Sequence, residues 1–241
     1  SVRIGRSSPA DHASPAPTHI LTKKREGDPN LIWKDGGTVK HSTDTKPTRL
    51  DTRDLVTTGV FTALYFVFTM VGGGLFATNP VLTFWMPAAA ALLTGPVYLL
   101  LIARVPKHGP LIILGAIEGI ILFVTGMYWG WSVACVALAV LADLIAGLGG
   151  FRSRALAFCA FVVYSLAPMG SYLALWVDPA AYASYLTGKG GEQAYMDTMM
   201  ATATGWMLPA MVLSTIACAV VSGLVGLRLL RRQFERAGIT A

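Results

Sequence analysis

The chain has 241 residues, of which 54% are hydrophobic and only 13% are Asp, Glu, Lys or Arg, and its formal net charge is +6. Globular domains carry about 25% charge, so there is too little polar surface here to wrap a soluble particle. The basic residues form no stripe interleaved with aromatics, which argues against nucleic acid as a partner.

Residues 1–50 are rich in Ser, Pro and Thr, carry charge, and lack the apolar stretch of a cleavable signal. A segment of that composition buries too little to order itself, so a disordered cytoplasmic tail is expected. From Leu55 the pattern changes. No charged residue occurs until Arg104, and a bilayer core demands about twenty apolar residues per crossing. Six hydrophobic segments can be drawn, at 55–76, 81–103, 110–127, 130–148, 155–177 and 206–230, the third being the shortest. The expectation is an all-α integral membrane protein, a six-transmembrane-helix bundle over residues 51–236, followed by a tail at 237–241. Pro87, Pro96, Pro168 and Pro209 fall inside these segments. Membrane helices tolerate them where neighbours satisfy the freed backbone groups.

The connections state an orientation. Arg49 and Arg53 precede the first segment, Arg104 and Lys107 follow the second, Arg152 and Arg154 follow the fourth, and Arg228, Arg231, Arg232 and Arg236 close the sixth. The alternate connections are uncharged or, at 178–205, carry only Lys189 against Asp178, Glu192 and Asp197. Basic loops stay in the cytoplasm, so both ends of the bundle are expected inside and the bundle in the plasma membrane.

Aromatic residues gather toward the opposite end: Tyr128, Trp129, Trp131, Tyr172, Trp176, Tyr182, Tyr185, Tyr195 and Trp206. Two readings stand: an interfacial belt, or the wall of an outward-facing pocket that stacks on a flat ligand. Tyr182, Tyr185 and Tyr195 suit a pocket or lid, because they lie in the long connection itself. There Met196, Met199, Met200, Ala203 and Met207 recur at helical spacing. Either the sixth helix begins early, near Glu192, or the stripe is an adaptable lid.

Two acids fall within the segments, Glu118 and Asp143. A carboxylate in hydrocarbon is costly and marks a function or a pairing. Glu118 is read either as a polar group at the floor of a binding site or as a protonated acid bonded to backbone. Asp143, about two turns from the basic end, is read as pairing with Arg152, Arg154 or Lys107, the alternative being a ligand role. No enzyme is expected. All four histidines lie in the tail or the Lys107-His108-Gly109-Pro110 turn, and no Ser has a base placed beside it. Metal-ligand spacing is lacking, Cys135, Cys159 and Cys218 match no metal motif, and no phosphate loop is found. No metal or cofactor is therefore expected. Small residues at Gly59 and Ala63, and at Ala88 to Ala91, allow close helix approach, either within the bundle or to another membrane subunit.

The segments Gly59-Val60-Phe61-Thr62-Ala63, Lys107-His108-Gly109-Pro110 and Leu141-Ala142-Asp143-Leu144-Ile145, with Phe151-Arg152-Ser153 following, resemble the Trep_Strep group. More broadly, the order and topology resemble the substrate-binding S components of energy-coupling-factor (ECF) transporters. That resemblance spans about Arg49 to Arg236. It implies a bundle that captures a vitamin-like or cofactor-like micronutrient, and the aromatic and Met content suits a flat, partly apolar one such as a vitamin, a haem-like compound or an iron chelate. It further implies docking onto a membrane scaffold subunit driven by two cytoplasmic ATPases. Family S components often show Ala-xxx-Ala on the first helix, where this chain has Gly59 and Ala63. On these grounds the candidate substrate-binding residues are Glu118, Trp129, Trp131, Tyr172, Trp176, Tyr185, Tyr195 and Met199. The candidate partner-docking residues are Gly59, Ala63, Ala88 and Ala91. The alternative is a stand-alone carrier of a small, partly apolar molecule.

Overall fold

A computed structural model describes residues 50–236, with side chains through residue 231. The expected tails at 1–49 and 237–241 lie outside the described residues. Among those described there is no strand, and ten α-helices and one 3-10 turn follow one another. Helix α1 (Thr52–Ala77) starts at a capping box: the Asp51 carboxylate accepts from the Thr52 amide at 2.8 Å, and the Asp51 amide donates to Asp54 at 3.1 Å. Such reciprocal caps satisfy amides that have no intrahelical acceptor. A 3-10 turn, Leu82–Trp85, leads into α2 (Met86–Arg104), with Pro87 in the first turn, where its missing N–H costs nothing. Then come α3 (Pro110–Val124) and α4 (Trp129–Leu148).

The fifth segment is not one rod. It forms α5 (Arg154–Tyr164), a turn through residues 165–168, and two short helices, α6 (Met169–Tyr172) and α7 (Ala174–Val177). Pro168 brings no amide to continue the ladder, so the chain re-starts after it. Helices α8 (Pro179–Gly188) and α9 (Gln193–Thr202) fill the long connection before α10 (Met207–Arg236). The expectation that the sixth helix begins near Glu192 is corrected here. A helix does start there, but it stops at Thr202, and Ala203 at ψ 61° leaves the helical region before α10 begins. Thr202, Thr204 and Gly205 around it are poor helix formers.

Five helical stretches are long and apolar enough to cross a membrane: Thr52–Ala77, Leu82–Arg104, Trp129–Leu148, Arg154–Val177 and Met207–Arg231. Pro110–Val124 is a shorter apolar helix. Large apolar side chains on their outer faces, such as Leu75, Val124 and Leu148, are about four-fifths exposed, which suits hydrocarbon as the solvent. Buried hydroxyls instead bond back along their own helices: Thr69 donates to the Tyr65 carbonyl and Thr215 to that of Met211.

α2 is the most buried of the five long stretches. Its small residues let α10 in. The Gly95 amide donates to Ser222 Oγ at 3.1 Å, and a Cβ on Gly226 would sit 2.9 Å from the Leu99 side chain and 3.1 Å from the Pro96 backbone. Gly226→Leu is therefore expected to cost about 3 kcal/mol through forced overpacking, read as a lowered thermal midpoint in detergent. Gly74→Leu, where an added side chain meets open space, is expected to leave the midpoint unchanged.

The core has two lobes. Toward the basic end, Tyr65, Tyr98, Phe161 and Tyr164 form an aromatic stack with ring centroids 5.4–6.0 Å apart. At the other end, Phe84, Met86, Trp131, Tyr172, Tyr182, Met196 and Met199 pack together.

Candidate functional site

The second lobe is hollow. A cavity of about 550 Å³ opens at the end where α1 finishes and α2, α4 and α10 begin, away from the basic connections. Its floor is Thr83, Met86, Trp131, Ser171 and Tyr172. Helices α8 and α9 lie over it and contribute Tyr182, Leu186, Tyr195, Met196 and Met199. Volumes of this size suit a small organic ligand.

Hydrogen bonds hold the walls. The Tyr172 hydroxyl donates to the Thr83 carbonyl at 2.8 Å and lies 3.0 Å from the Thr83 hydroxyl. Thus the break after α5 is tied to the 3-10 turn before α2. Tyr195 donates to the Ala77 carbonyl at 2.8 Å, pinning α9 to the end of α1. Tyr128 stacks against Trp129, Tyr182 and Tyr185 with centroids 5.1–5.4 Å apart, forming one side of the mouth. Burial pushes the Tyr182 and Tyr195 phenols above their ordinary range, so both present neutral hydroxyls. Among the described residues, the charged groups lining the cavity are Lys189 and Glu192, one of each sign. Such a chamber offers stacking faces, soft thioethers and neutral hydroxyls, with a balanced pair of charges at the rim.

Of the eight candidates read from sequence, four line this cavity: Trp131, Tyr172, Tyr195 and Met199. The other four do not. Trp129 is about half exposed on α4 and backs Tyr128. Trp176 packs edge-on to Phe84, centroids 6.2 Å apart, and its buried indole N–H finds no acceptor among the described residues. Tyr185 sits behind Tyr128, beneath the Lys189 ammonium at 5.9 Å. Glu118 lies deeper, accepting a hydrogen bond from Tyr164 and lining a separate pocket of about 20 Å³ with Tyr65, Thr69 and Trp131. Trp131 is common to both spaces and divides them. Thr83, Met86 and Ser171 were missed as candidates, whereas Met196 and Tyr182, read from sequence as lid residues, line the cavity. The polar interruptions Thr83 and Ser171 within apolar runs were the available signal.

The two small-residue pairs separate. Gly59 and Ala63 are exposed on the outer face of α1, and a Cβ on Gly59 would meet nothing within 4 Å. Ala88 and Ala91 are 5% and 3% exposed. They lie beside the close α1–α2 packing, in which Gly72 abuts the Ala89 and Ala90 backbone, so their side chains face the interior of the bundle.

At the basic end, Asp143 is buried and paired, though not with a predicted partner. Its carboxylate accepts from the Gly109 amide at 3.1 Å and lies 2.8 Å from His108 Nδ1. Gly109 at φ 110° turns the chain so that the α2–α3 connection folds over α4, a conformation glycine adopts freely. The His108 ring also meets Phe151 edge-on at 4.7 Å. Lys107 pairs instead with Asp54 at 2.7 Å.

The model of a hypothetical bacterial integral membrane protein family, Trep_Strep, matches residues 52–236. The chain belongs to the Trep_Strep family. No curated protein and no solved structure matches it. Every Trep_Strep residue named above in the cavity and in the Asp143 latch falls inside the matched stretch. Family membership and the apolar helices together establish an integral membrane protein.

Proposed function

We propose that this protein is the substrate-capturing membrane subunit of an ATP-driven importer of the energy-coupling-factor type. The observation that carries the reading is the cavity: a ligand-sized chamber at the mouth of a membrane bundle, floored by Tyr172 and Trp131 and covered by α8 and α9. In this reading the short α3 completes a six-span bundle, tilting or thinning the bilayer around it. The basic ends, carrying Arg53, Arg104, Arg152 and Arg228, face the cytoplasm, so the cavity faces outward from the plasma membrane. The ligand is a flat, partly apolar micronutrient of the vitamin or cofactor kind, neutral or zwitterionic. The lining supplies rings and hydroxyls for recognition, with no imidazole or thiol among its side chains, so binding rather than bond-making is its work.

Energy then comes from partners: a membrane scaffold subunit and two cytoplasmic ATPases, since no phosphate-loop motif occurs in the chain. The exposed Gly59 and Ala63 give the scaffold a flat surface on α1. Affinity purification from the native membrane, with mass spectrometry of proteins and small molecules, tests the proposal. Co-recovery of a scaffold and two ATPases is expected, with one retained compound. Gly59→Leu/Ala63→Leu is expected to lower that co-recovery at least tenfold while the compound stays bound, and unchanged assembly would overturn the docking face.

A second reading, an ion-coupled stand-alone carrier, draws on Glu118. This acid is 3% exposed, has no ion pair among the described residues, and lies directly beneath the cavity. Buried membrane acids commonly serve proton or ion coupling. ATP-free uptake of the retained compound into liposomes, abolished by Glu118→Gln, would favour the carrier over the ATP-driven subunit.

A further inference from the structure

At the end of the bundle away from the ligand cavity, a second concavity of about 360 Å³ lies between α2, α5 and α10. Leu99, Ile102, Ala157, Leu227 and Leu230 give it an apolar trough. Its lip is Arg152, Ser153 and Arg154. Both arginines are exposed, and neither side chain has an ion pair or hydrogen bond among the described residues. No acidic residue lines the trough among the described residues. Ser153 caps α5, its hydroxyl accepting from the Leu156 amide, so the positive end of an eleven-residue helix points at the same lip.

A lip with two guanidinium groups, a helix N-terminus and no acid among its described residues recognises a phosphate diester. The apolar trough running from it along the bundle has the lining that an acyl chain requires. One molecule class joins those two halves. From this juxtaposition we infer that the groove is a specific site for an anionic diacyl glycerophospholipid. The phosphate rests between Arg152 and Arg154, and one chain lies along Leu99, Ala157 and Leu227. General attraction of basic loops to anionic leaflets spreads over all surface cations. A built site instead depends on the two that flank the trough. A docked protein segment would be a different occupant, bound without lipid selectivity.

The test uses the full chain in mild detergent, titrated with phosphatidylglycerol or with phosphatidylcholine of the same acyl chains. Native mass spectrometry counts bound lipid, and a thermal melt follows stability. One retained phosphatidylglycerol is expected, at least tenfold preferred over phosphatidylcholine, together with a raised melting midpoint. Arg152→Gln and Arg154→Gln are each expected to erase most of that preference. Both sites are exposed, so folding is not at risk. Arg53→Gln, at the same end but outside the groove, is expected to keep it. Equal binding of the two lipids overturns the site, and so does an equal loss in Arg53→Gln, which would mark general electrostatics. Ala157→Leu, which narrows the trough without touching charge, is expected to reduce bound phosphatidylglycerol. Retention unchanged in that variant would overturn the acyl-chain half of the site.

Discussion

Asp143→Ala is expected to destabilise the bundle by about 3 kcal/mol, the largest stability loss foreseen for any single polar side chain in this protein. Two costs combine. The Gly109 amide loses the acceptor that satisfies it at the turn between α2 and α3, and the link from His108 to α4 disappears. Asp143 is 2% exposed, so water does not readily replace the carboxylate, and an unmatched donor near a bilayer is expensive. His108→Ala serves as the comparison. Its side chain is 63% exposed, and its removal leaves the Gly109–Asp143 bond in place, so a loss below about 1 kcal/mol is expected. Unfolding of both variants in detergent, followed by circular dichroism against a mixed-micelle denaturant titration, checks the difference. Equal losses would mean that the imidazole, rather than the glycine amide, is the partner that matters.

The second large effect concerns the cavity. Trp131→Ala is expected to weaken binding of the co-purified ligand by about 30-fold, near 2 kcal/mol, the level at which buried tryptophans act as anchors. The indole is 4% exposed, forms part of the floor, and separates the ligand chamber from the small Glu118 pocket. Its loss removes a stacking face and merges the two spaces. Trp129→Ala, two residues away on the exposed side of α4, is expected to change affinity less than twofold. Isothermal titration with the compound recovered by mass spectrometry separates these outcomes. Comparable losses in both variants would return the tryptophans to a belt role.

The membrane class, the all-helical architecture and the approximate ends of the first four apolar helices were legible in the chain itself. That legibility has a physical basis. Hydrocarbon admits only backbone that satisfies its own hydrogen bonds, so an uncharged apolar run such as 55–76 has to be a helix whatever its neighbours are. The spacing of Arg53, Arg104, Arg152 and Arg228 likewise marks which ends lie together, because each apolar run reverses direction. The membrane helices also tolerate proline, and this is where the reading along the chain lost its grip. Pro96 remains inside α2, whereas Pro168 ends a helix and creates α6 and α7. The difference lies in what stands nearby. Ser222 bonds the backbone beside Pro96, while the turn after α5 is held by Tyr172 reaching to Thr83.

Site residues divide along the same line. Residue type alone marked Trp131, Tyr172, Tyr195 and Met199 as candidates, since rings and thioethers gather in that part of the sequence. Which rings face inward depends on how α8 and α9 fold back over α4, and that is why Trp129, Trp176 and Tyr185 fall outside the cavity and Met196 falls inside. Asp143 could be recognised from the sequence as an acid in need of a partner. Its choice of His108 and the Gly109 amide over the nearby arginines was settled by one left-handed glycine that folds a loop across a helix. Composition and charge spacing thus determined the solvent, the helices and their alternation, because those follow from local free energies of transfer. Long-range packing decided the chamber, its lid and the pairing of buried acids, because those are contacts between residues far apart in the chain.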